Sequence, residues 1–221
     1  MTFLEQVLAI LWKDIRCELR SKQTWMGMGL FALLVLVIFN FAFDLRVDNK
    51  AALAPGALWV AFVFASLLGL GRTIAAEREK GLMDRLLLCP VDRKAIYLAK
   101  LLGNLLFIGV VELVALPVFA ALFNVPLFAG SLLPIVLLGT LGIASVGTLF
   151  SAIASATQAR ELLLPLLIFP LIVPVVIGAV RATGALMVPA ANEPPWLGLI
   201  TAFDVIFLSI SMLTFEFVVE E

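Results

Sequence analysis

Residues 72–100 read RTIAAEREKGLMDRLLLCPVDRKAIYLAK, a charged segment that separates two long apolar runs. This segment, called the charged island below, holds seven of the fifteen Lys and Arg residues in the chain. Each flanking run is long enough to cross a bilayer, which takes about 20 apolar residues in a helix. The island therefore predicts a water-exposed connection between two membrane-spanning helices.

The composition of the whole chain agrees with this interpretation. Its 221 residues are 63% hydrophobic and 14% charged, whereas soluble domains are about 45–50% apolar and about 25% charged. We expect an all-α polytopic membrane protein whose single transmembrane domain covers residues 1–221, with no sizeable soluble domain. The lipid bilayer is its expected surrounding, and no nucleic-acid partner is expected.

Apolar length and turn residues predict six transmembrane spans joined by short connections. The third span begins after Pro90 with Asp92 placed as its N-cap, and it is long enough to protrude into water on the charged side. Pro165, Pro170 and Pro174 interrupt the fifth span, which predicts either a kinked helix or two re-entrant pieces. The predicted spans are about 24–43, 54–71, 96–123, 131–156, 162–180 and 197–218.

Residues 2–22 predict an amphipathic elbow helix that lies on the membrane surface before the first span. Asp14 and Glu18 fall on its apolar side, which a plain interfacial helix would avoid. Two interpretations stay open: a generic anchor, or a brace for the first span that presents carboxylates to a partner. The apolar face comprises Leu4, Val7, Leu8, Leu11, Ile15 and Leu19, and the polar face Gln6, Lys13, Arg16 and Arg20.

The basic residues predict the orientation of the chain in the membrane. Twelve Lys and Arg residues fall on the side of the amino terminus and the island, and three fall on the other side. By the positive-inside rule, the island and both termini are then cytoplasmic. This requires an even number of spans, in agreement with six.

The sequence lacks the motifs of several enzyme classes. It has no GxxxxGK[ST], HExxH or GxSxG, and it contains no histidine, the commonest metal ligand and general base. We therefore expect no catalytic residues, no metal site and no cofactor bound by this chain. If the protein uses ATP, a separate chain hydrolyses it.

A few polar residues inside the spans are candidates for function. Glu112 and Asp204 are ionisable residues in the third and sixth spans, where such residues are rare. Ser145 and Ser151 belong to a stripe of small and polar residues in the fourth span. Each of the four either lines a pathway for a substrate or proton, or packs at a helix interface.

The charged island is the strongest candidate site. Residues 72–92 predict a cytoplasmic coupling segment in which 75–88 are helical, with charges of both signs in one exposed turn. Alternating charges suit a specific protein contact, whereas a loop that only fixes topology needs no such helical pattern. The candidate docking residues are Glu77, Arg78, Glu79, Lys80, Gly81, Asp84 and Arg85.

The charged island and the second span resemble a known family. The island reads ExExGxxxxLLxxP from Glu77 to Pro90, which resembles an ABC-2 type permease, the membrane half of an ATP-driven exporter. Within that group the second span is similar to CcmB, the haem exporter B family of cytochrome c maturation. The matching residues there are Pro55-Gly56, Leu58-Trp59-Val60, Phe64-Ala65-Ser66-Leu67-Leu68 and Arg72; weaker similarity lies at Gly139-Thr140 and in Leu163 to Gly178.

The resemblance implies a complex in a bacterial inner membrane. It would contain two copies of this chain, two copies of an ABC ATPase subunit, and other membrane subunits that pass haem to a periplasmic haem chaperone. ATP would bind the ATPase, and haem would be a substrate of the complex. Whether haem crosses this chain stays open, as does an alternative in which the chain is a force-transmitting scaffold that releases the chaperone. Export of a lipid, polysaccharide or drug is a further alternative.

Overall fold

The computed structural model describes residues 2–20, 22–44, 50–79, 89–124, 132–155, 160–187 and 195–220. These residues form seven helices, α1 (Phe3–Arg20), α2 (Lys22–Asp44), α3 (Lys50–Glu79), α4 (Arg93–Phe123), α5 (Leu132–Ser155), α6 (Arg160–Met187) and α7 (Trp196–Glu220). Helices α2 to α7 are each long and apolar enough to cross a membrane. The predicted all-α architecture with six spans is confirmed, and the chain is a multi-pass membrane protein.

Helices α3 and α5 form the centre of the bundle. In the most apolar stretch of each, 72% of residues are buried, compared with 17% in α2 and α7. Helix α5 contacts α3, α4, α6 and α7. Small residues make this possible, because Gly139 lies against the Trp59 ring of α3 and Gly147 lies against the Leu70 side chain of the same helix.

Helix α6 is one continuous helix although it contains Pro165, Pro170 and Pro174. Each proline removes a backbone donor, which in a membrane must be compensated by surrounding protein. The prediction had left a kinked helix and two re-entrant pieces open, and the structure does not have the two pieces.

The first turns of α4 confirm the predicted N-cap. Asp92 is the N-cap as predicted, because its Oδ1 accepts the Lys94 backbone N–H at 2.9 Å. The first turns of α4 are also packed against protein. Ala95, Ile96 and Ala99 have no exposed surface, since α1 packs along α4 and covers it.

Candidate functional site

The amino-terminal part of the charged island is a continuation of the second span. Helix α3 runs without interruption from Lys50 to Glu79, so the backbone of Glu77, Arg78 and Glu79 forms its last turn. At about 1.5 Å per residue its 30 residues span about 45 Å, and the hydrocarbon core is about 30 Å thick. The predicted docking residues Lys80, Gly81, Asp84 and Arg85 lie outside the described residues.

The carboxyl-terminal end of the island is attached to α1. Cys89 and Pro90, which precede α4, are both exposed. Next to them, the Asp92 backbone N–H donates to Gln6 Oε1 of α1 at 3.2 Å. The N-cap of α4 is therefore joined to α1 by a hydrogen bond from its backbone, in addition to the packing of side chains.

A buried ion pair fastens α1 to α4 more strongly. Lys100 Nζ lies 2.8 Å from Asp14 Oδ2, and Lys13 Nζ lies 2.9 Å from Asp14 Oδ1. Asp14 is 5% exposed and Lys100 is 2% exposed. The suggestion that Asp14 is presented to a partner is therefore wrong, because it is used inside the chain. Lys100, the last residue of the charged island, is likewise buried.

The apolar residues of α1 divide into two faces rather than one. Val7 and Ile10 are buried on the side of α1 that carries Asp14 and packs on α4. Leu4, Leu8 and Leu19 are at least 60% exposed, and Trp12 is 57% exposed. The Arg16 guanidinium lies over the Trp12 ring, 4.9 Å from its centre. Only the second face is available for contact with lipid.

Glu112 lies at the interface between α4 and α5. Thr140 Oγ1 of α5 is 2.7 and 2.8 Å from its two carboxyl oxygens, and Glu112 is 3% exposed. A threonine directed at this carboxyl was not anticipated from the sequence. In this packing of the helices, Glu112 joins α4 to α5.

The two candidate serines of α5 donate to carbonyls of their own helix. Ser145 Oγ donates to Gly142 O at 3.0 Å, and Ser151 Oγ donates to Thr148 O at 3.0 Å. Both side chains are buried. Their small size serves the close approach of neighbouring helices, and their hydroxyls are occupied.

Three further polar contacts cross the bundle and were missed by sequence reasoning. Asn104 Nδ2 donates to Thr148 Oγ1 at 2.9 Å and joins α4 to α5. The Tyr97 hydroxyl donates to Ser145 O at 3.2 Å. The Trp59 indole N–H donates to Thr183 Oγ1 at 3.0 Å and joins α3 to α6. Each partner is at least 44 residues away in sequence, so no local pattern pointed to the pairs.

Asp204 is the remaining sequence candidate, and it differs from the others. It is 3% exposed on α7, and its carboxyl lies against Gly142 of α5. Neither carboxyl oxygen has a hydrogen-bond partner in the described part of the chain. Asp204 and Ser145 both contact Gly142, whereas Glu112 is bound to Thr140 and Ser151 to Thr148.

Comparison with known proteins identifies relatives along most of the chain. The profile of the family described as CcmB protein matches residues 5–220. Heme exporter protein B of Rhodobacter capsulatus is 34% identical over 171 residues, which cover 76% of this chain and 78% of the relative. Heme exporter protein B of Bradyrhizobium diazoefficiens is 32% identical over 181 residues, 81% and 82% of the two chains. The protein of the same name from Haemophilus influenzae is 27% identical over 201 residues, 90% and 89% of the two chains.

Proposed function

This chain belongs to the CcmB protein family, and from that premise we propose that it is the membrane subunit of an ATP-driven complex that exports or delivers haem for the maturation of c-type cytochromes. The observation that carries the proposal is the family match over residues 5–220, with relatives named heme exporter protein B. The structure has six helices that can span a membrane, and the sequence has no nucleotide-binding loop. Both observations fit a subunit whose ATPase is a separate chain.

The ATPase subunit docks on the charged island at the cytoplasmic side, with both termini on that side. Glu77, Arg78 and Glu79 are carried on the end of α3, so a push on them acts directly on a central span. The other end of the island leads into α4, to which α1 is fixed by the Asp14–Lys100 pair. Nucleotide binding to the ATPase would then shift α3 and the α1–α4 pair as rigid elements.

The docking surface continues through Lys80, Gly81, Asp84 and Arg85, where the charges alternate. Two copies of this chain with two ATPase subunits form the core of the complex, in a bacterial inner membrane. Other membrane subunits handle haem and pass it to a periplasmic chaperone. These assignments rest on the family resemblance and on the chemistry of the residues.

Haem is a substrate of the complex in this proposal, not a resident cofactor of this chain. The usual iron ligand is histidine, which the sequence does not contain. Haem propionates are anionic, and Lys100, the basic residue that is buried among the described residues, is already paired with Asp14. This chemistry favours movement of helices, rather than ligation of iron, as the contribution of this chain.

A force-transmitting scaffold is a second candidate that one observation favours. Glu112 is bound by Thr140, and Ser145 and Ser151 are bound to their own helix, so three of the four pathway candidates are occupied. In that case ATP-driven motion releases the loaded haem chaperone, and haem does not cross this chain. Changing Ser145, Ser151 and Glu112 to bulky apolar residues would then leave cytochrome assembly intact, while island variants abolish it.

Gene deletion tests the proposed function against its alternatives. Loss of this chain is expected to abolish covalent haem in c-type cytochromes and to leave lipid, polysaccharide and drug-resistance phenotypes unchanged. Haem-stained gels of membrane and periplasmic fractions measure the first, with b-type cytochromes as the control for haem supply. Normal c-type cytochromes together with a lipid or drug phenotype would favour an exporter of another substrate.

A further inference from the structure

Asp204 is a buried carboxyl that no described residue binds. Three acidic side chains are buried in the described part of the chain: Asp14, Glu112 and Asp204. Asp14 pairs with Lys100, and Glu112 accepts from Thr140. Both oxygens of Asp204 lack a hydrogen-bond partner in the part of the chain that the structure describes. A buried polar group in this state requires an explanation.

The position of the carboxyl is set by three helices. Asp204 lies about 12 Å along α7 from Trp196, at about 1.5 Å per residue. A Cβ added at Gly142 of α5 would lie 2.6 Å from Asp204 Oδ1 and 3.0 and 3.1 Å from the two methyl groups of Val175 on α6. Glycine at 142 therefore leaves the space that the carboxyl occupies, and Val175 closes the other side.

Charged groups on the surrounding helices do not neutralise Asp204 within the described residues. Helix α5 has no Asp, Glu, Lys or Arg. On α6, Arg181 is exposed, and Arg160 and Glu161 are at the far end of the helix. On α4, Glu112 is bound to Thr140, and the basic residues Arg93, Lys94 and Lys100 are in the first turns. Helix α7 itself carries only acidic groups besides Asp204, namely Glu216 and Glu220.

A bare carboxylate is strongly disfavoured in such a place, because the bilayer offers neither water nor a counter-charge. A metal ion would need several oxygen ligands, and the side chains that meet beside Gly142 are the single carboxyl of Asp204 and the apolar Val175. A proton is the one cation that a single carboxyl binds unaided. We propose that Asp204 is a proton-binding site: its carboxyl holds a proton while α7 packs on α5 at Gly142.

The contact between α7 and Gly142 also determines when the proton leaves the carboxyl. When α7 moves away from Gly142, water reaches the carboxyl, the O–H bond breaks, and the proton passes to that water while the hydrated carboxylate stays on α7. Proton binding is thereby linked to the packing of α5 against α7. This inference goes beyond the proposed function, since it requires neither haem nor a particular partner.

Infrared spectroscopy with isotope labelling tests proton occupancy directly. The complex is purified into lipid nanodiscs, and its spectrum is compared with that of protein made with [4-13C]aspartate. We expect one carboxylic acid C=O band that shifts with the label and is lost in Asp204→Asn. Glu112→Gln is the control and keeps the labelled band. Absence of an aspartate-sensitive carboxylic acid band, or its survival in Asp204→Asn, would overturn the proposal.

Asp204→Glu covers the case in which Asp204→Asn does not assemble. This variant keeps a carboxyl, so the band should stop responding to aspartate labelling and respond to labelled glutamate instead. A band that still responds to aspartate labelling in this variant belongs to another residue and refutes the assignment.

Hydrogen–deuterium exchange of the same band tests the link to helix packing. Gly142→Ala places a methyl group 2.6 Å from Oδ1 and forces the carboxyl or the helices to shift. Exchange in D2O is expected to be at least several-fold faster than in the unmodified protein. Gly109→Ala is the matched control, because its new methyl meets nothing within 4 Å. Equal exchange rates in Gly142→Ala and the control would contradict the link.

Discussion

At the scale of single residues, the Asp14–Lys100 pair is the contact that most affects how the chain is understood. It joins positions 86 residues apart and is almost fully buried. Removing one member of a buried ion pair typically costs about 3–5 kcal/mol, because it leaves the other charge uncompensated. Replacing both members with apolar residues is often close to neutral.

These rules give a double-mutant prediction. Asp14→Leu should lower the thermal midpoint of the detergent-solubilised protein more than Lys100→Met, because Lys13 stays beside Asp14 when Lys100 is replaced, and the double variant should recover part of the loss. Size-exclusion chromatography after heating measures the midpoints. Lys94→Met is the control, because the side chain of Lys94 is only partly buried. A double variant that is no better than the worse single variant would show that the pair is not the source of stability.

The position of Asp14 in the sequence indicated that it needs a partner, but the sequence did not show which residue the partner is. Asp14 falls on the apolar side of the predicted elbow helix, and a carboxyl in that position needs a partner. The partner Lys100 lies in both the charged island and the predicted third span, and helical periodicity gives the face of a residue but not what covers it. The Trp59–Thr183 hydrogen bond, across 124 residues, left no local signal.

At the scale of the element, α5 is the helix whose composition explains the bundle. Its glycines and small polar residues allow α3 to approach closely, as the contacts Gly139 to Trp59 and Gly147 to Leu70 show. The sequence predicted packing as one role of this stripe because small residues are typical of helix contacts in membranes. It could not predict which helices meet there, since that depends on the topology of all six spans.

A pair of glycine variants tests this role of α5. Gly147→Ala should lower the thermal midpoint, since its methyl group would overlap Leu70 and overpacking costs about 1–3 kcal/mol. Gly109→Ala on α4 should be neutral or slightly stabilising, because it has open space and alanine favours a helix by up to about 1 kcal/mol. The same change at two helical glycines would thus lower the midpoint at one and not at the other. Equal midpoints for the two variants would contradict the packing account.

Helices α4 and α6 mark the limits of span prediction. Their positions followed from apolar length, which is a local property of the sequence. The covering of the α4 entry by α1 and the continuity of α6 through Pro165, Pro170 and Pro174 depend on neighbouring helices. Neither could be obtained from the residues of the element alone.

At the scale of the whole molecule, α1 and the entry of α4 behave as one body in this account. The Gln6–Asp92 hydrogen bond and the Asp14–Lys100 pair connect them at two levels. Two native cysteines report on this body: Cys17 lies on α1 and Cys89 lies just before α4, and both are exposed. Motion of the complex should therefore leave their separation unchanged.

Distance measurements between pairs of spin labels test this prediction. Spin labels at Cys17 and Cys89, diluted among unlabelled copies, should give the same distance distribution with and without a non-hydrolysable ATP analogue bound to the ATPase. A label at Glu216→Cys on α7 should change its distance to Cys89 under the same conditions. A change between Cys17 and Cys89 as large as that to α7 would show that α1 moves independently.

The most direct test of the central proposal is a charge reversal at the end of α3. Glu77→Lys with Glu79→Lys should leave the chain inserted in the membrane, but should greatly reduce the ATPase that co-purifies with it and the ATP hydrolysis of the complex. The matched control is Glu216→Lys with Glu220→Lys at the end of α7, which should retain both. Full co-purification and normal ATP hydrolysis in the Glu77 and Glu79 variant would contradict docking at the charged island.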